Sequence, residues 1–355
     1  MKAWFPSVSM VGQQVAFGIS NVLCKAAFES GLNFYTLIVY RQILATLLLF
    51  PAAYLVERKS RPSLTKRLNL QLFLLALCGI TIQQNAYFRG LSYTTATAAS
   101  ALGNLCPAFT FVLAIIFRME RARLKSPRGQ AKILGTLISL GGAMIFIFYK
   151  GYLFPPLRIP FIKIDHHYSI STGSRHGVGE WVKGAFFVVL GIAAWSLFLI
   201  FQATVCKAYP APLSMTAWIS LFATLQSLAV GLILERRSAE WRLSWDVKLW
   251  TILYTGIVIS AIVYYAQMWC IVKKGPVFAA MFYPVILISA ALLSAILFLE
   301  RLHLGSLIGA CVIVIGFYCI LWGKKDECRH RTSLEDPNHN LQAIEELTPK
   351  EIATP

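Results

Sequence analysis

One ordered set of residue patterns occurs twice in this chain of 355 residues, and the two occurrences are about 180 residues apart. Any single match is weak, but six in the same order predict that the chain contains two copies of one unit, at residues 7–149 and 184–322. The matched patterns are Cys24-Lys25-Ala26 with Cys206-Lys207-Ala208, Glu57-Arg58-Lys59 with Glu235-Arg236-Arg237, Tyr87-Phe88 with Tyr264-Tyr265, Pro107 with Pro284, Glu120-Arg121 with Glu300-Arg301, and Gly135 and Gly142 with Gly309 and Gly316.

Each copy contains long apolar runs. The chain is 57% hydrophobic and 14% charged, whereas a soluble domain has roughly 45–50% apolar and about 25% charged residues. The apolar residues fall in runs of about 20, the length that crosses a hydrocarbon core. The sequence therefore predicts an all-α membrane protein with ten transmembrane helices. The predicted spans are Ser7–Phe28, Tyr35–Val56, Asn69–Gly90, Ala96–Phe117, Ala131–Tyr149, Gly184–Cys206, Leu213–Leu234, Lys248–Val272, Val277–Leu299 and Leu304–Trp322.

Five spans in each copy is an odd number, so the second copy must enter the membrane upside down relative to the first. Two inverted five-helix repeats are typical of secondary transporters, whose substrate site lies between the repeats near the middle of the membrane. The duplication therefore favours a transporter over a receptor.

The charged residues predict an orientation. A net charge of +17 on a soluble protein would indicate nucleic acid, but here the basic residues cluster in short loops that face lipid headgroups, so no nucleic-acid partner is expected. The excess of Lys and Arg in alternate loops predicts that both termini are cytosolic. Residues 150–183 then form an extramembrane loop on the outside, and the polar residues 323–355 form a disordered cytosolic tail.

Polar residues inside the predicted spans are the candidates for a substrate site. In the first span Gln14, Gly18, Asn21 and Lys25 are spaced by 4, 3 and 4 residues, which places them on one face of a helix and predicts a wet cavity. The alternative is that such side chains only join helices by hydrogen bonds. The predicted substrate-binding residues are Gln14, Asn21, Lys25, Gln84, Tyr87, Asn104, Pro107, Trp195, Tyr264, Tyr283 and Pro284.

The paired prolines predict a hinge or a cavity lining, because proline removes a backbone donor and frees a carbonyl in a helix. Asn104 lies one turn before Pro107, so its amide is expected beside the freed carbonyl. Tyr283 adjoins Pro284 in the second copy, and the two-fold relation brings both residues toward one cavity.

A single arginine, Arg41, lies about six residues inside the second span. It either snorkels to the outer face or pairs with a carboxylate, of which Glu29 is the nearest candidate. No span has an acidic residue at mid-depth, so transport down a gradient without proton coupling stays open. The sequence contains no nucleotide-binding, nucleophile or metalloprotease motif, so we expect no enzyme activity, cofactor or metal site.

Two stretches resemble plant EamA-type carriers, one from Gly90 to Pro107 and one from Trp269 to Pro284. The chain resembles the walls-are-thin-related, nodulin-21-like branch of the drug/metabolite transporter superfamily, also called usually-multiple-acids-move-in-and-out transporters. The resemblance covers about residues 8–325, and the second stretch is the more specific. Tyr283 departs from the asparagine that many relatives have there.

The resemblance implies two EamA repeats, cytosolic termini and movement of amino acids in both directions, often export, at the plasma membrane or alternatively the vacuolar membrane. The residues alone favour a transporter without naming amino acids, although Lys25 or Arg41 would attract a carboxylate and the aromatic rings an ammonium. Two alternatives stay open: a carrier of auxin or another small organic solute, and a membrane interaction protein that does not transport and recruits a partner through its tail.

Overall fold

A computed structural model describes residues 4–58, 61–94, 96–119, 127–149, 178–237, 241, 245–297, 304–305 and 308–319. Over these residues the chain is helical and contains no strand. Two stretches are π-helical and continue directly from one α-helix into the next. The helices are α1 Phe5–Glu29, α2 Phe34–Glu57, α3 Lys66–Ala76, π1 Leu77–Ile82, α4 Gln83–Tyr93, α5 Ala96–Leu102, α6 Leu105–Ile116, α7 Pro127–Phe148, α8 Val178–Ala208, α9 Pro212–Leu234, α10 Val247–Leu253, π2 Tyr254–Val263, α11 Tyr264–Lys274, α12 Pro276–Met281, α13 Pro284–Leu297 and α14 Ile308–Cys319.

Six helical stretches in the described ranges are long and apolar enough to cross a membrane. They are Phe34–Glu57, Ala96–Ile116, Gly179–Ala208, Pro212–Leu234, Val247–Lys274 and Pro276–Ser294. Helix α1 has 25 residues but is not among them. It carries several buried polar side chains, including Gln13, Gln14 and Asn21, and polar residues that face protein do not meet lipid.

Helix α8 begins earlier than the sequence indicates. It starts at Val178, inside the stretch 150–183 that was expected to be a loop. Glu180 in its first turn and Lys207 in its last turn both complement the helix dipole, so the helix extends beyond the apolar run that marks it in the sequence. The expectations for residues 150–177, for the tail, and for Glu120-Arg121 and Glu300-Arg301 lie outside the described residues.

Helices α2 and α9 pack side by side in opposite directions. At the end of α2, the Glu57 carboxylate accepts hydrogen bonds from the backbone N–H groups of Leu213 (3.1 Å) and Ser214 (2.7 Å), in the first turn of α9. At the end of α9, the Glu235 carboxylate accepts one from Asn33 Nδ2 (2.6 Å), just before α2 begins. Each helix therefore ends where the other begins, and each junction is held by a glutamate.

Two spans are broken near their proline. Helices α5 and α6 are separated at 103–104, and α12 and α13 at 282–283. The carbonyls expected to be freed by Pro107 and Pro284 are not free: Gly103 O accepts from Cys106 N (2.9 Å), and Ala280 O accepts from Tyr283 N (3.2 Å). Each proline lies in the first turn of the helix after the break, where its missing N–H would have no intrahelical partner.

Helices α7 and α14 approach each other through the glycines that recur in the sequence. A Cβ atom at Gly142 would lie 3.0 Å from the carbonyl oxygen of Gly309, and one at Gly316 would lie 2.6 Å from that of Gly135. These distances leave no room for a side chain, and small residues allow such backbone contact between membrane helices. Gly142, late in α7, meets Gly309, early in α14, and Gly135 meets Gly316 further along α14. These two helices are therefore also antiparallel.

Candidate substrate cavity

A cavity lies among the helices beside the two breaks. The volume open to the centres of water molecules is about 60 Å³. Since one buried water needs roughly 10–15 Å³ by this measure, the cavity holds about four to six waters. Residues of both predicted copies line it: Phe17, Asn21, Arg41, Gln83, Gln84, Tyr87, Phe88, Ser100, Gly103, Ile192, Trp195, Tyr264, Tyr283 and Ile286.

A close contact between α4 and α8 sets the position of two cavity walls. A Cβ atom at Gly191 would lie 3.0 Å from the backbone nitrogen of Tyr87 and 3.1 Å from the carbonyl oxygen of Gln83. A side chain at this position would push the two backbones apart by a few tenths of an ångström, so glycine favours their close approach. Trp195 follows Gly191 by four residues, so it lies on the same face of α8 and is directed toward the same region.

Three aromatic rings from three helices form one wall of the cavity. The ring centroids of Trp195 and Tyr264 are 5.6 Å apart, and Phe17 lies 6.4 Å from Trp195 and 6.3 Å from Tyr264. Trp195 also stacks on Phe198 at 5.0 Å. These are favourable distances for aromatic pairs, and they hold the rings of α1, α8 and α11 in fixed positions.

Hydrogen bonds orient two of the amides that line the cavity. Gln42 Nε2 donates to Gln84 Oε1 (3.4 Å), and Gln84 Nε2 donates to the Tyr264 hydroxyl (3.2 Å). Asn21 Nδ2 donates to Ser100 Oγ (3.0 Å). The amide of Gln84 is thus bonded at both ends, so this side chain is held in place before any substrate enters.

Two buried polar atoms of cavity-lining residues have no hydrogen-bond partner within the described part of the chain. They are the donor Trp195 Nε1 and the acceptor Gln83 Oε1. Leaving a buried polar group unpaired costs about 1–3 kcal/mol. A solute that brings one acceptor and one donor would satisfy both atoms.

The guanidinium of Arg41 faces the cavity, and its side chain is only 2% exposed. Its Nε donates to Ser260 Oγ (3.0 Å), and its Cζ lies 5.6 Å from the centroid of the Phe88 ring. Glu29, the expected partner, instead pairs with Lys25 at 3.8 Å. Among the residues that the structure describes, no carboxylate lies within 4 Å of Arg41, so it neither snorkels nor forms the expected ion pair.

Of the eleven residues predicted to bind substrate, six line the cavity: Asn21, Gln84, Tyr87, Trp195, Tyr264 and Tyr283. The other five do not: Gln14, Lys25, Asn104, Pro107 and Pro284. The polar stripe of α1 is divided, since Asn21 reaches the cavity while Gly18 packs against Ser289 of α13. Asn104, in the break between α5 and α6, donates its side-chain N–H to the carbonyl of Ala101 in α5 (3.1 Å).

Lys25 is part-buried and does not line the cavity. Its Nζ lies 3.4 Å from the carbonyl oxygens of both Leu91 and Ser92, as well as near Glu29. The lining residues that the site prediction omitted are Phe17, Arg41, Gln83, Phe88, Ser100, Gly103, Ile192 and Ile286. Arg41, Gln83 and Ser100 carried a sequence signal as polar groups inside spans, whereas the apolar residues carried none.

A model of the EamA-like transporter family matches residues 7–148 and 182–322 of this chain. The chain belongs to this family. Several WAT1-related proteins of Arabidopsis thaliana are similar to this EamA-like transporter: one is 39% identical over 97% of this chain and 89% of its own length. A second is 38% identical over 91% of this chain and 81% of its own length. The resemblance to the plant walls-are-thin-related branch is confirmed.

A solved crystal structure also aligns with this EamA-like transporter, with a TM-score of 0.65 over 91% of this chain and 100% of the other. At 14% identity the likeness is one of fold alone. The family assigns the chain to the multi-pass membrane transporters of the drug/metabolite superfamily, with a small-molecule substrate and a lipid bilayer around it. It also indicates a transporter rather than an enzyme.

Proposed function

We propose that this EamA-like transporter moves amino acids in both directions across the plasma membrane, often as an exporter, by alternating access. The observation that carries the proposal is the cavity lined by residues of both predicted copies. It combines a cation and an aromatic wall with a donor and an acceptor that have no partner among the described residues. Both termini are cytosolic in this proposal, and the vacuolar membrane is the alternative location.

The proposed architecture is ten transmembrane helices in two inverted five-helix repeats. Helix α2 corresponds to α9 in this scheme, and their antiparallel packing with a glutamate at each junction is the contact that inverted copies would make. The π-helical stretches begin at Leu77 and Tyr254, which are 177 residues apart, the same separation as Pro107 and Pro284. Two separate matches to one family model also support this layout.

The cavity offers groups for both ends of a zwitterion. The Arg41 guanidinium and the Trp195 N–H are donors for a carboxylate. Gln83 Oε1 is an acceptor for an ammonium, and the faces of Trp195 and Tyr264 attract a cation. A space of four to six waters matches a solute with few heavy atoms better than a peptide.

Alternating access by inverted repeats moves a solute down its gradient without ATP. The described spans bring no carboxylate to the cavity, so a side chain that commonly relays protons in coupled carriers is missing from its walls. We therefore propose facilitated transport, in which the direction of net flux follows the substrate gradient.

An organic acid with a planar ring is the second candidate substrate, and auxin is the example that the family resemblance implies. The specific observation in its favour is the aromatic wall of Phe17, Trp195 and Tyr264 beside a buried arginine. A ring would stack on this wall while its carboxylate met Arg41.

Uptake into proteoliposomes that contain the purified full-length chain tests the proposal. We expect accelerated entry of at least one labelled amino acid down its gradient, equal exit when the gradient is reversed, and no requirement for ATP. Competition with indole-3-acetate separates the two substrate classes. A chain shortened by residues 326–355 should transport like the parent. Absence of flux for every amino acid and organic acid, in vesicles that contain folded protein, would refute the transport proposal in favour of an interaction protein.

A further inference from the structure

The position of Arg41 gives it an unusual charge environment for a residue inside a membrane protein. It lies on α2, seven residues after the helix begins at Phe34, which is about 10 Å along the axis. Its side chain is 2% exposed and faces the cavity. A charged side chain at this depth is costly unless it pairs or faces a polar space.

In the part of the chain that the structure describes, the groups around the guanidinium are all neutral. Ser260 accepts from Nε, the Phe88 ring faces the group at 5.6 Å, and the Tyr264 hydroxyl lies close to it. A guanidinium has five N–H donors in a planar fork, and these neutral neighbours leave its positive charge without a counter-charge. Within the described ranges no acidic side chain reaches it. An anionic group that enters the cavity from solution would balance this charge.

Lys25, the other cation considered for this role, has a different environment. It is paired with Glu29, donates toward two backbone carbonyls and does not line the cavity. Of these two cations, only Arg41 faces the space that a solute would occupy.

We propose that Arg41 binds the carboxylate of the transported solute and thereby restricts the carrier to solutes with an anionic group. The inference rests on the proposed function and names the specificity residue of that cavity. Arginine binds carboxylates with two parallel hydrogen bonds. The Trp195 N–H, which has no partner among the described residues, is a third donor from the cavity lining. An amine or amide that lacks the carboxylate leaves the arginine charge buried and unbalanced, so it is excluded.

Matched solutes test this specificity. L-alanine and L-alaninamide have nearly the same shape, but only L-alanine carries a carboxylate. Inhibition of labelled L-alanine counterflow in proteoliposomes should need about 10- to 100-fold more alaninamide than alanine, because hydrogen bonds to a charged group are strong. Arg41→Gln should weaken inhibition by alanine by a similar factor, so that the inhibition constants of alanine and alaninamide become nearly equal. Arg41→Lys should retain part of the preference.

A binding measurement keeps the inference independent of whether alanine is transported. Propionate should raise the unfolding temperature of the purified parent protein in detergent, and the neutral isostere propionamide should not. The shift should disappear in Arg41→Gln, while Leu47→Ala, at a position that is 65% exposed, should keep it. Chloride at the same ionic strength is the control for a general anion effect. It should not raise the unfolding temperature if the site binds a carboxylate.

The outcomes distinguish the inference from the proposed function. A parent protein that binds propionate through Arg41 but moves no amino acid would refute the transport proposal and support the carboxylate site. Equal potency of alanine and alaninamide in the parent, or a propionate shift that persists in Arg41→Gln, would overturn the role of Arg41 and leave amino acid transport standing. If Arg41→Gln does not fold, Arg41→Lys and the matched solutes on the parent decide the question.

Discussion

Thr46 and Thr224 share a hydrogen bond of 2.9 Å between their hydroxyl oxygens, although they lie 178 residues apart in the chain. The same separation relates Glu57 to Glu235, whose carboxylates hold the two ends of the α2–α9 pair. A residue that contacts its own counterpart lies on the axis that relates two copies. This bond therefore marks where the two-fold axis of the proposed inverted repeat would pass.

A double cysteine variant tests this contact. Thr46→Cys with Thr224→Cys should form a disulfide under mild oxidation. The two hydroxyl oxygens are in contact, and a disulfide forms between residues whose Cβ atoms are about 3.5–4.5 Å apart. A protease site inserted in residues 150–177 would separate the halves, so the cross-link is visible as halves that migrate together until they are reduced. Leu47→Cys with Thr224→Cys should not cross-link, since Leu47 is directed outward. Equal cross-linking of both pairs would contradict the α2–α9 arrangement.

The glutamate at the start of α9 is expected to stabilise the fold. Glu57→Ala removes acceptors from two backbone N–H groups in the first turn of a helix, a loss of about 0.5–2 kcal/mol in unfolding free energy. Glu57→Gln keeps a side-chain acceptor and should lose less. Thermal unfolding in detergent measures both. Unfolding temperatures equal to that of the parent would show that the cap does not contribute.

The indole N–H of Trp195 is expected to act on substrate rather than on stability. Trp195→Phe removes a donor that has no protein partner in the described part of the chain, while the ring contacts with Phe198 and Tyr264 are retained. Apparent substrate affinity should fall about two- to tenfold, the effect of one neutral hydrogen bond, and the unfolding temperature should stay unchanged. A variant with lower thermal stability and normal affinity would assign the indole a structural role instead.

Tyr283 and Asn104 are expected to differ, although the sequence placed both at the site. Tyr283 lines the cavity, so Tyr283→Ala should change the order of preferred substrates. Asn104 is bonded to Ala101 O and lies outside the lining, so Asn104→Ala should lower the unfolding temperature more than the affinity. Leu47→Ala and Leu293→Ala are the controls, measured at equal surface expression. Parental substrate preference and affinity in Tyr283→Ala would refute a site beside the breaks.

The orientation can be tested with an epitope inserted between residues 151 and 177. We expect the tag to be labelled on intact cells, because the basic residues predict cytosolic termini and an outside central segment. A terminal tag should be labelled only after permeabilisation. Labelling in the reverse order would invert the proposed topology.

The sequence predicted the helical positions well because long apolar runs are a direct consequence of the lipid environment. Most predicted spans overlap helices of the described residues, but two of them are interrupted at 103–104 and 282–283, and the last one is described only in part. The sequence-based prediction of helix ends was wrong at Val178, where α8 begins before the apolar run and has Glu180 in its first turn. It also failed at Pro107, since the break occurs before the proline and the carbonyl of Gly103 finds another donor.

The cavity was only half predictable. Polar residues such as Gln84 and Asn21 are recognisable because polar groups are rare within spans. Phe17, Ile192 and Ile286 resemble every other apolar residue of their helices, and only the packing distinguishes them. Gln14 belongs to the same polar stripe as Asn21, but it does not line the cavity. Sequence periodicity shows which residues share a helix face, and it does not show which of them lie at the level of the cavity.

The π-helical stretches have a consequence for how the site can be altered. Gln84 follows π1 and Tyr264 follows π2, so the direction of each side chain depends on the number of residues in the wider turns before it. Deleting one residue from either stretch would change none of the lining side chains, but it would rotate the following helix by about 100°. Gln84 or Tyr264 would then leave the cavity wall. A single-residue deletion or insertion in either π-helical stretch should therefore change the lining of the cavity without exchanging any lining residue.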